Sequence, residues 1–208
     1  SETGETFLKE IFAENGMLSA HVDTFEPRKG QLAMAEAVAD VLYAEPMSVD
    51  EDQNGQILVV EAETGIGKTL AYLIPAILSQ KRVVVSTATL NLQDQIIKKE
   101  VPLVSKIIGK EVPVLCVKGR SNYLCLYRWF QYRSNPQLSL VDDPAVSKIE
   151  AWLDTTETGD RAELDWLGER SSLWSKISAH SNQCLGGDCP EVTNCFITSL
   201  RKKAGSTR

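Results

Sequence analysis

Ile57-Leu58-Val59-Val60-Glu61-Ala62-Glu63-Thr64-Gly65-Ile66-Gly67-Lys68-Thr69 is the stretch on which the fold turns. Its first half is apolar and β-rich, which predicts a buried strand over 57–62. Its second half is a Gly-rich loop, and from Lys68 to Gln80 the apolar residues return at helical spacing. Strand, Gly-rich loop and helix, in that order, form the setting in which a backbone can cradle phosphate. Glycines let the chain curl so that its N–H groups point inward at phosphate oxygens. The helix N-terminus adds partial positive charge. Lys68 supplies a mobile full charge for β- and γ-phosphates, and the Thr69 hydroxyl suits Mg²⁺. Ala62 stands where the pattern more often has Gly, at a position that mainly needs a small residue. The expected ATP-binding set here is Glu63, Thr64, Gly65, Ile66, Gly67, Lys68, Thr69 and Leu70, with Lys68 and Thr69 doing the chemistry and Thr69 holding Mg²⁺.

Working outward, Val83, Val84 and Val85 predict a second buried strand over 82–87, and 112–117 a third, with Cys116 as a small core residue. Between them, 90–108 reads as a long helix interrupted at Pro102. Upstream, 6–18 and 30–45 carry helical apolar faces; Pro46 ends the second, and Asn54-Gly55 signals a turn. The alternation predicts an α/β domain on a parallel sheet. After Lys118 the pattern changes. Residues 121–133, 144–154 and 161–180 read as helices, with Tyr123, Trp129, Trp152, Trp166 and Trp174 as packing residues. Residues 184–195 read as a cysteine-rich loop and 196–204 as a basic helix. The organisation expected is a sheet domain over 1–118 and a helical insertion over 119–208, with no internal repeat.

The 208 residues are 43% hydrophobic and 24% charged, an ordinary globular balance. No apolar run approaches the roughly 20 residues that span a bilayer, so no membrane partner is expected. The acidic start has no leader pattern, although a first residue of Ser leaves room for trimming. The net charge of −6 hides a polarity: residues 64–135 carry 11 basic and 3 acidic side chains, whereas 1–63 carry 3 basic and 14 acidic. A basic block in an acidic chain is a candidate phosphate-tracking surface, or a solvated face of scattered lysines.

Five cysteines in a chain without a leader give little support to a disulfide framework. Cys184, Cys189 and Cys195 crowd into a polar loop with Gly186-Gly187 and Pro190, and Cys125 stands alone before them, giving C-x58-C-x4-C-x5-C. Four thiolates can hold a [4Fe–4S] cluster or a tetrahedral zinc. Zinc sites more often use two close pairs, so the spacing leans toward the cluster.

Several segments together resemble one family. Phe25-Glu26-Pro27-Arg28-Lys29-Gly30-Gln31 precedes the phosphate loop; Ser86-Thr87-Ala88-Thr89-Leu90-Asn91-Leu92-Gln93 follows the second strand; Lys118-Gly119-Arg120-Ser121-Asn122-Tyr123-Leu124-Cys125 opens the insertion. With the phosphate loop and the cysteine trio, these resemble the XPD/DinG-type iron–sulfur branch of superfamily 2 DNA helicases, and within it the bacterial DinG-like and YoaA-like enzymes. The resemblance covers most of residues 20–200. It implies a RecA-like motor domain, present in part, with a helical iron–sulfur insertion. It also implies that Arg28 and Gln31 lie near adenine, that Thr87, Thr89 and Arg120 face DNA phosphates, and that Cys125, Cys184, Cys189 and Cys195 hold a [4Fe–4S] cluster. A Gln amide can both donate to and accept from an adenine edge. Thr89 also reads as an ordinary helix cap.

The activity implied is ATP-driven 5′→3′ movement on single-stranded or forked DNA in repair or replication, by a monomeric bacterial protein of the cytoplasm and nucleoid. An acidic Mg²⁺ motif after an apolar strand is not found; Asp142-Asp143 runs into Pro144. The chain alone is therefore expected to bind nucleotide without DNA-stimulated hydrolysis. A non-enzymatic DNA-binding module, with a cluster or zinc and a retained phosphate loop, is the alternative. A kinase would need an acceptor site that the sequence does not offer.

Overall fold

The structure is a computed structural model and describes residues 2–22, 25–44, 56–135, 144–168 and 170–206. The Pro46, Asn54-Gly55 and Asp142-Asp143 signals lie outside these residues. The chain divides into two compact units, 1–116 and 117–207.

The first unit is built on helices α1 (Glu2–Phe12), α2 (Lys29–Tyr43), α3 (Lys68–Leu78), α4 (Leu90–Gln95) and α5 (Val101–Ile108). Leu8, Ile11, Phe12, Leu18, Ala35, Ala39, Ala71, Ile74, Val104 and Ile107 form its core. Ala35 and Ala39 are one turn apart on α2, as Ala71 and Ile74 are on α3; the three alanines let the two helices pack closely, with Ile74 filling the core beside them. Helix α1 ends at Phe12, earlier than its apolar pattern suggests, and turns occupy 13–21.

The expected long helix over 90–108 runs through Pro102 rather than breaking there. A π-helical turn, Ile96–Glu100, joins α4 to α5, and the Val101 N–H donates to the Ile96 carbonyl five residues back. Proline cannot donate to the carbonyl four residues before it, and its ring crowds that carbonyl; the widened turn accommodates both. Ile96, the first residue of the turn, and Val101, the residue after it, pack with Leu73 of α3.

The three expected buried strands are not formed. Among the described residues no ladder of paired strands occurs, and none of 56–62, 82–87 and 111–117 forms a strand. Ile57 is 88% exposed and Leu58 39%, Val59 87% and Val60 39%. That two-residue alternation is the signature of extended backbone. Cys116, expected in the core, is only half-buried. Local β-propensity sets the extended backbone, but burial of a central strand needs neighbours on both edges and cover on both faces.

The second unit is organised by the segment entering it. Tyr123 and Leu124 make isolated antiparallel bridges to Asp160 and Ser178. Helices α6 (Leu126–Arg133), α7 (Pro144–Leu153) and α8 (Ser172–Ile177) surround a core of Leu124, Trp129, Ile149, Leu164, Leu173, Trp174 and Ile177. The Trp174 indole donates to the Ser121 carbonyl at 2.8 Å. Trp152 packs at the edge of this core, but Trp166 is 37% exposed, with Lys148 5.0 Å over its ring. The 161–180 stretch expected as one helix is two short pieces, the 3₁₀ turn Arg161–Glu163 and α8; Ser171 caps α8 by accepting from the Trp174 N–H. Helix α9 (Phe196–Ser206) closes the unit.

Two features of this unit give measurable predictions. Gly159 has φ +65, and a Cβ there would lie 2.4 Å from the Phe196 ring. Gly159→Ala is expected to lower stability by more than the roughly 1–2 kcal/mol of a left-handed alanine alone, read by thermal melting. Glu163 accepts from the Trp152 indole at 2.8 Å and from the Thr156 and Thr158 hydroxyls. Burial pushes its carboxyl up, but these hydrogen bonds and the Lys118 charge outweigh burial and hold it below the usual carboxylate range. A depressed folded pKa contributes stability above the unfolded value, lost as pH falls through the folded one. The melting temperature should therefore drop below about pH 4, and Glu163→Gln should flatten part of that drop. An unchanged acid profile in the variant would count against the assignment.

Candidate functional site

The phosphate loop is positioned by the start of α3 and the start of α2. Gly65 and Gly67 both have φ +83, and Gly67 caps α3 in the left-handed conformation. The Lys68 ammonium donates to the Ala62 carbonyl at 2.9 Å and to the Glu63 carbonyl at 2.6 Å. It is held at the mouth of the loop by neutral acceptors, from which a phosphate oxygen with full charge can draw it. The Thr69 hydroxyl stands beside the Tyr72 phenol. Burial raises that phenol's pKa first of all; Thr69 lowers it by hydrogen bonding and the Glu100 charge raises it.

Helix α2 supplies a second set of contacts to the same loop. The Arg28 guanidinium donates to the Gly65 carbonyl, and the Gln31 amide donates to the Gly67 carbonyl at 3.1 Å. Gln31 is buried, and a Cβ on Gly67 would sit 2.1 Å from its Nε2. A Cβ on Gly30 would meet the Ile66 side chain at 2.8 Å. The structure therefore brings Arg28, Gln31, Gly65, Ile66, Gly67 and Lys68 together, although they come from two segments some thirty residues apart. It places Arg28 and Gln31 on the loop backbone. Thr64 is exposed, while Leu70 turns away to pack on the first unit's core. Gly67→Ala is expected to damage nucleotide binding more than Gly65→Ala. Both carry the roughly 1–2 kcal/mol left-handed cost, but only Gly67 also displaces a buried amide. Fluorescent-nucleotide titration reads the difference, and equal losses would refute the Gln31 contact.

Thr89 caps α4, its hydroxyl accepting from the Leu92 N–H at 3.3 Å, and the Thr87 hydroxyl donates to the Thr89 carbonyl at 3.2 Å. This end of α4 is solvent-facing.

In the second unit, Cys125, Cys184, Cys189 and Cys195 all line one cavity of about 510 Å³, together with Arg120, His180 and Arg201. The four are free thiols; Cys184 is exposed and the other three half-buried. Among the described residues, no three Cys, His, Asp or Glu side chains converge closely enough to hold a metal ion. Burial raises the Cys125 thiol above its usual pKa, and the neighbouring Cys189 and Cys195 push the same way against backbone hydrogen bonds that lower it. The Gly186 N–H, followed by a hydrogen bond and charge from Arg120, lowers the Cys184 thiol. Arg120, expected on DNA, is thus turned into the cysteine cavity. His180, for which the sequence offers no catalytic or metal partner, and Arg201 of the expected basic helix line the same cavity; Arg201 lies six residues beyond Cys195 on α9.

A Gly-rich loop opening onto an α-helix, braced by an upstream Arg and Gln, has the form of a phosphate loop. The family is then identified by comparison: residues 26–134 match the DEAD/DEAH box helicase family, and the chain belongs to it. Membership implies a RecA-like fold for this region. The chain is similar to the ATP-dependent DNA helicase YoaA of Haemophilus influenzae, 38% identical over 204 residues, covering 96% of this chain and 30% of that protein. It is 38% identical over 200 residues to YoaA of Escherichia coli, covering 95% of this chain and 30% of that protein. It is 37% identical over 202 residues to the ATP-dependent helicase DinG of Mycobacterium tuberculosis, covering 86% and 29%. The chain spans about 30% of the length of these curated relatives.

Proposed function

We propose that this chain is the nucleotide-binding part of an ATP-dependent DNA helicase that moves 5′→3′ on single-stranded or forked DNA in bacterial repair or replication. The observation that carries the reading is the braced phosphate loop: two left-handed glycines opening onto α3, with the Lys68 ammonium waiting on the Ala62 and Glu63 carbonyls. In this reading Lys68 leaves those carbonyls for the β- and γ-phosphates. Thr69 binds Mg²⁺, with Tyr72 orienting its hydroxyl. Glu63, Thr64, Gly65, Ile66 and Gly67 wrap the phosphates, and Arg28 and Gln31 exchange loop carbonyls for the adenine edge. Thr87, Thr89 and the free N–H groups at the start of α4 hold DNA phosphates without reading sequence.

The four cysteines on a common cavity, rimmed by Arg120 and Arg201, suit an anionic [4Fe–4S] cluster. Bound there, it would tie the chain entering the unit to the loop before α9, a structural role. The same protein is proposed to act as a cytoplasmic, nucleoid-associated monomer.

The three extended apolar runs are proposed to be strands of a parallel sheet that the remaining length of such a protein completes. In the full-length protein, amides of 57–60, 83–85 and 114–117 should then be protected from hydrogen exchange, and in the chain alone they should exchange rapidly. Rapid exchange in both would exclude the completed sheet. The function itself is tested by ATP-dependent strand separation with the full-length protein. Unwinding that requires ATP supports the motor; DNA binding without it would favour the non-enzymatic module.

A further inference from the structure

Glu100 of the first unit is a carboxylate taken out of water, 8% exposed, that touches no part of the phosphate loop backbone described above. It closes the π-helical turn Ile96–Glu100 between α4 and α5. The Gln95 amide, at the last position of α4, donates to it at 2.9 Å. Among the described residues no lysine, arginine or histidine forms an ion pair with it. A buried charge without a cation costs stability, and a neutral side chain of the same size would cost less. Turns of this widened kind recur at functional sites.

Tyr72 connects the turn to the loop. It packs against the cluster of Leu73, Ile96 and Val101, so it borders both ends of the turn. It also lies three residues after Thr69 on α3, so the two side chains share a face. Burial holds the Tyr72 phenol protonated; the hydrogen bond with Thr69 opposes this, and the Glu100 charge supports it. A hydrogen bond that favours the ionised phenol is one donated to its oxygen, which makes Thr69 the donor. A hydroxyl has one proton and two lone pairs. With its proton given to Tyr72, the Thr69 oxygen keeps its lone pairs for a cation. The phenol has its own proton left to place, and a carboxylate attracts it.

We propose that Glu100 and Tyr72 are positioning residues for Thr69: the carboxylate fixes the phenol, the phenol takes the Thr69 proton, and the Thr69 oxygen is left for Mg²⁺. Gln95 ends α4 and holds Glu100, so a strand bound at Thr87 and Thr89 bears on the same chain of side chains. The proposal rests on the helicase reading, and specifies how occupancy of the DNA side reaches the metal ligand.

The test uses the full-length protein and a fluorescent, non-hydrolysable ATP analogue, titrated once with Mg²⁺ and once with a chelator. Tyr72→Phe keeps the ring and removes the hydroxyl. It should cut the affinity gained from Mg²⁺ by roughly 2- to 10-fold, the range for one hydrogen bond, and affect binding in chelator much less. Glu100→Gln keeps an acceptor for Gln95 and removes the charge. It should lower the Mg²⁺ gain in the same way and reduce the stimulation of hydrolysis by oligothymidine. Neutralising a buried charge relieves its desolvation cost, so the melting temperature of this variant should hold or rise. A lower melting temperature with an unchanged Mg²⁺ gain would make Glu100 a structural residue only. The double variant should match Tyr72→Phe, because Glu100 acts through the phenol; losses that add would show that it does not. If both single variants keep the parent's Mg²⁺ gain, the positioning role is overturned. A parent protein whose hydrolysis ignores DNA would sink the helicase reading, and the Mg²⁺ titration would still decide the positioning role.

Discussion

Lys68→Ala in the full-length protein is expected to abolish ATP-driven unwinding, with hydrolysis falling by at least about 100-fold, the scale of removing one preorganised charge from a reacting centre. The ammonium sits at the loop mouth on two backbone carbonyls, 2.9 and 2.6 Å away, so its position is set before nucleotide arrives. Nearby Arg28 is not expected to replace it, because in the proposed reading its guanidinium, which rests on the Gly65 carbonyl without nucleotide, goes to the adenine edge rather than to the phosphates. Lys68→Arg should rescue poorly. The planar fork needs a wider space than a compact ammonium between two carbonyls, and it cannot present a point charge in the same place. Steady-state hydrolysis and strand separation read the effect. A variant that retains unwinding would remove the loop from the mechanism altogether, whereas lost unwinding with intact DNA binding separates the motor from the binding surface.

Cys189→Ser should empty the proposed cluster. Protein purified without oxygen is expected to contain about four irons and four sulfides per chain, and the variant to lose most of both, along with the visible absorption. Its thiol lines the same cavity as Cys125, Cys184 and Cys195, and its charge acts on Cys125, so removing it takes away one of the four proposed donors. The second unit should melt earlier, because its links across that cavity are few: Tyr123, Ala179 and Ile197 form a small core there, with Cys125 and Cys195 packed at its edge. Cys116→Ser is the internal control. Cys116 belongs to the first unit, and its replacement should leave iron unchanged. Zinc in place of iron in the parent protein would preserve the nucleotide site and overturn the cluster assignment.

The glycine loop that opens onto α3 was legible because its geometry is local. Gly65, Gly67, Lys68 and Thr69 lie within five residues, and the left-handed backbone demands glycine wherever the loop is built. Helices α2 and α3 were equally plain, since an apolar stripe at helical spacing needs only one partner face. The Thr89 cap could be read from a hydroxyl at a helix start. The cysteine quartet was legible as a pattern, and the fold draws those side chains to one cavity across 70 residues.

What only the tertiary structure decided depends on partners distant in sequence. Arg28 and Gln31 sit on the Gly65 and Gly67 carbonyls because α2 packs against α3, a contact that no spacing within either helix encodes. Arg120 and Tyr132 are a cation and an aromatic of the same unit, alike to a reader of composition. The packing turns one into the cysteine cavity and sets the other on Trp129 at the edge of an open groove. The valine-rich runs mark the opposite limit. β-branched residues fix an extended backbone by their own sterics, whereas pairing and burial come from neighbouring segments, and these residues cannot supply such neighbours for themselves.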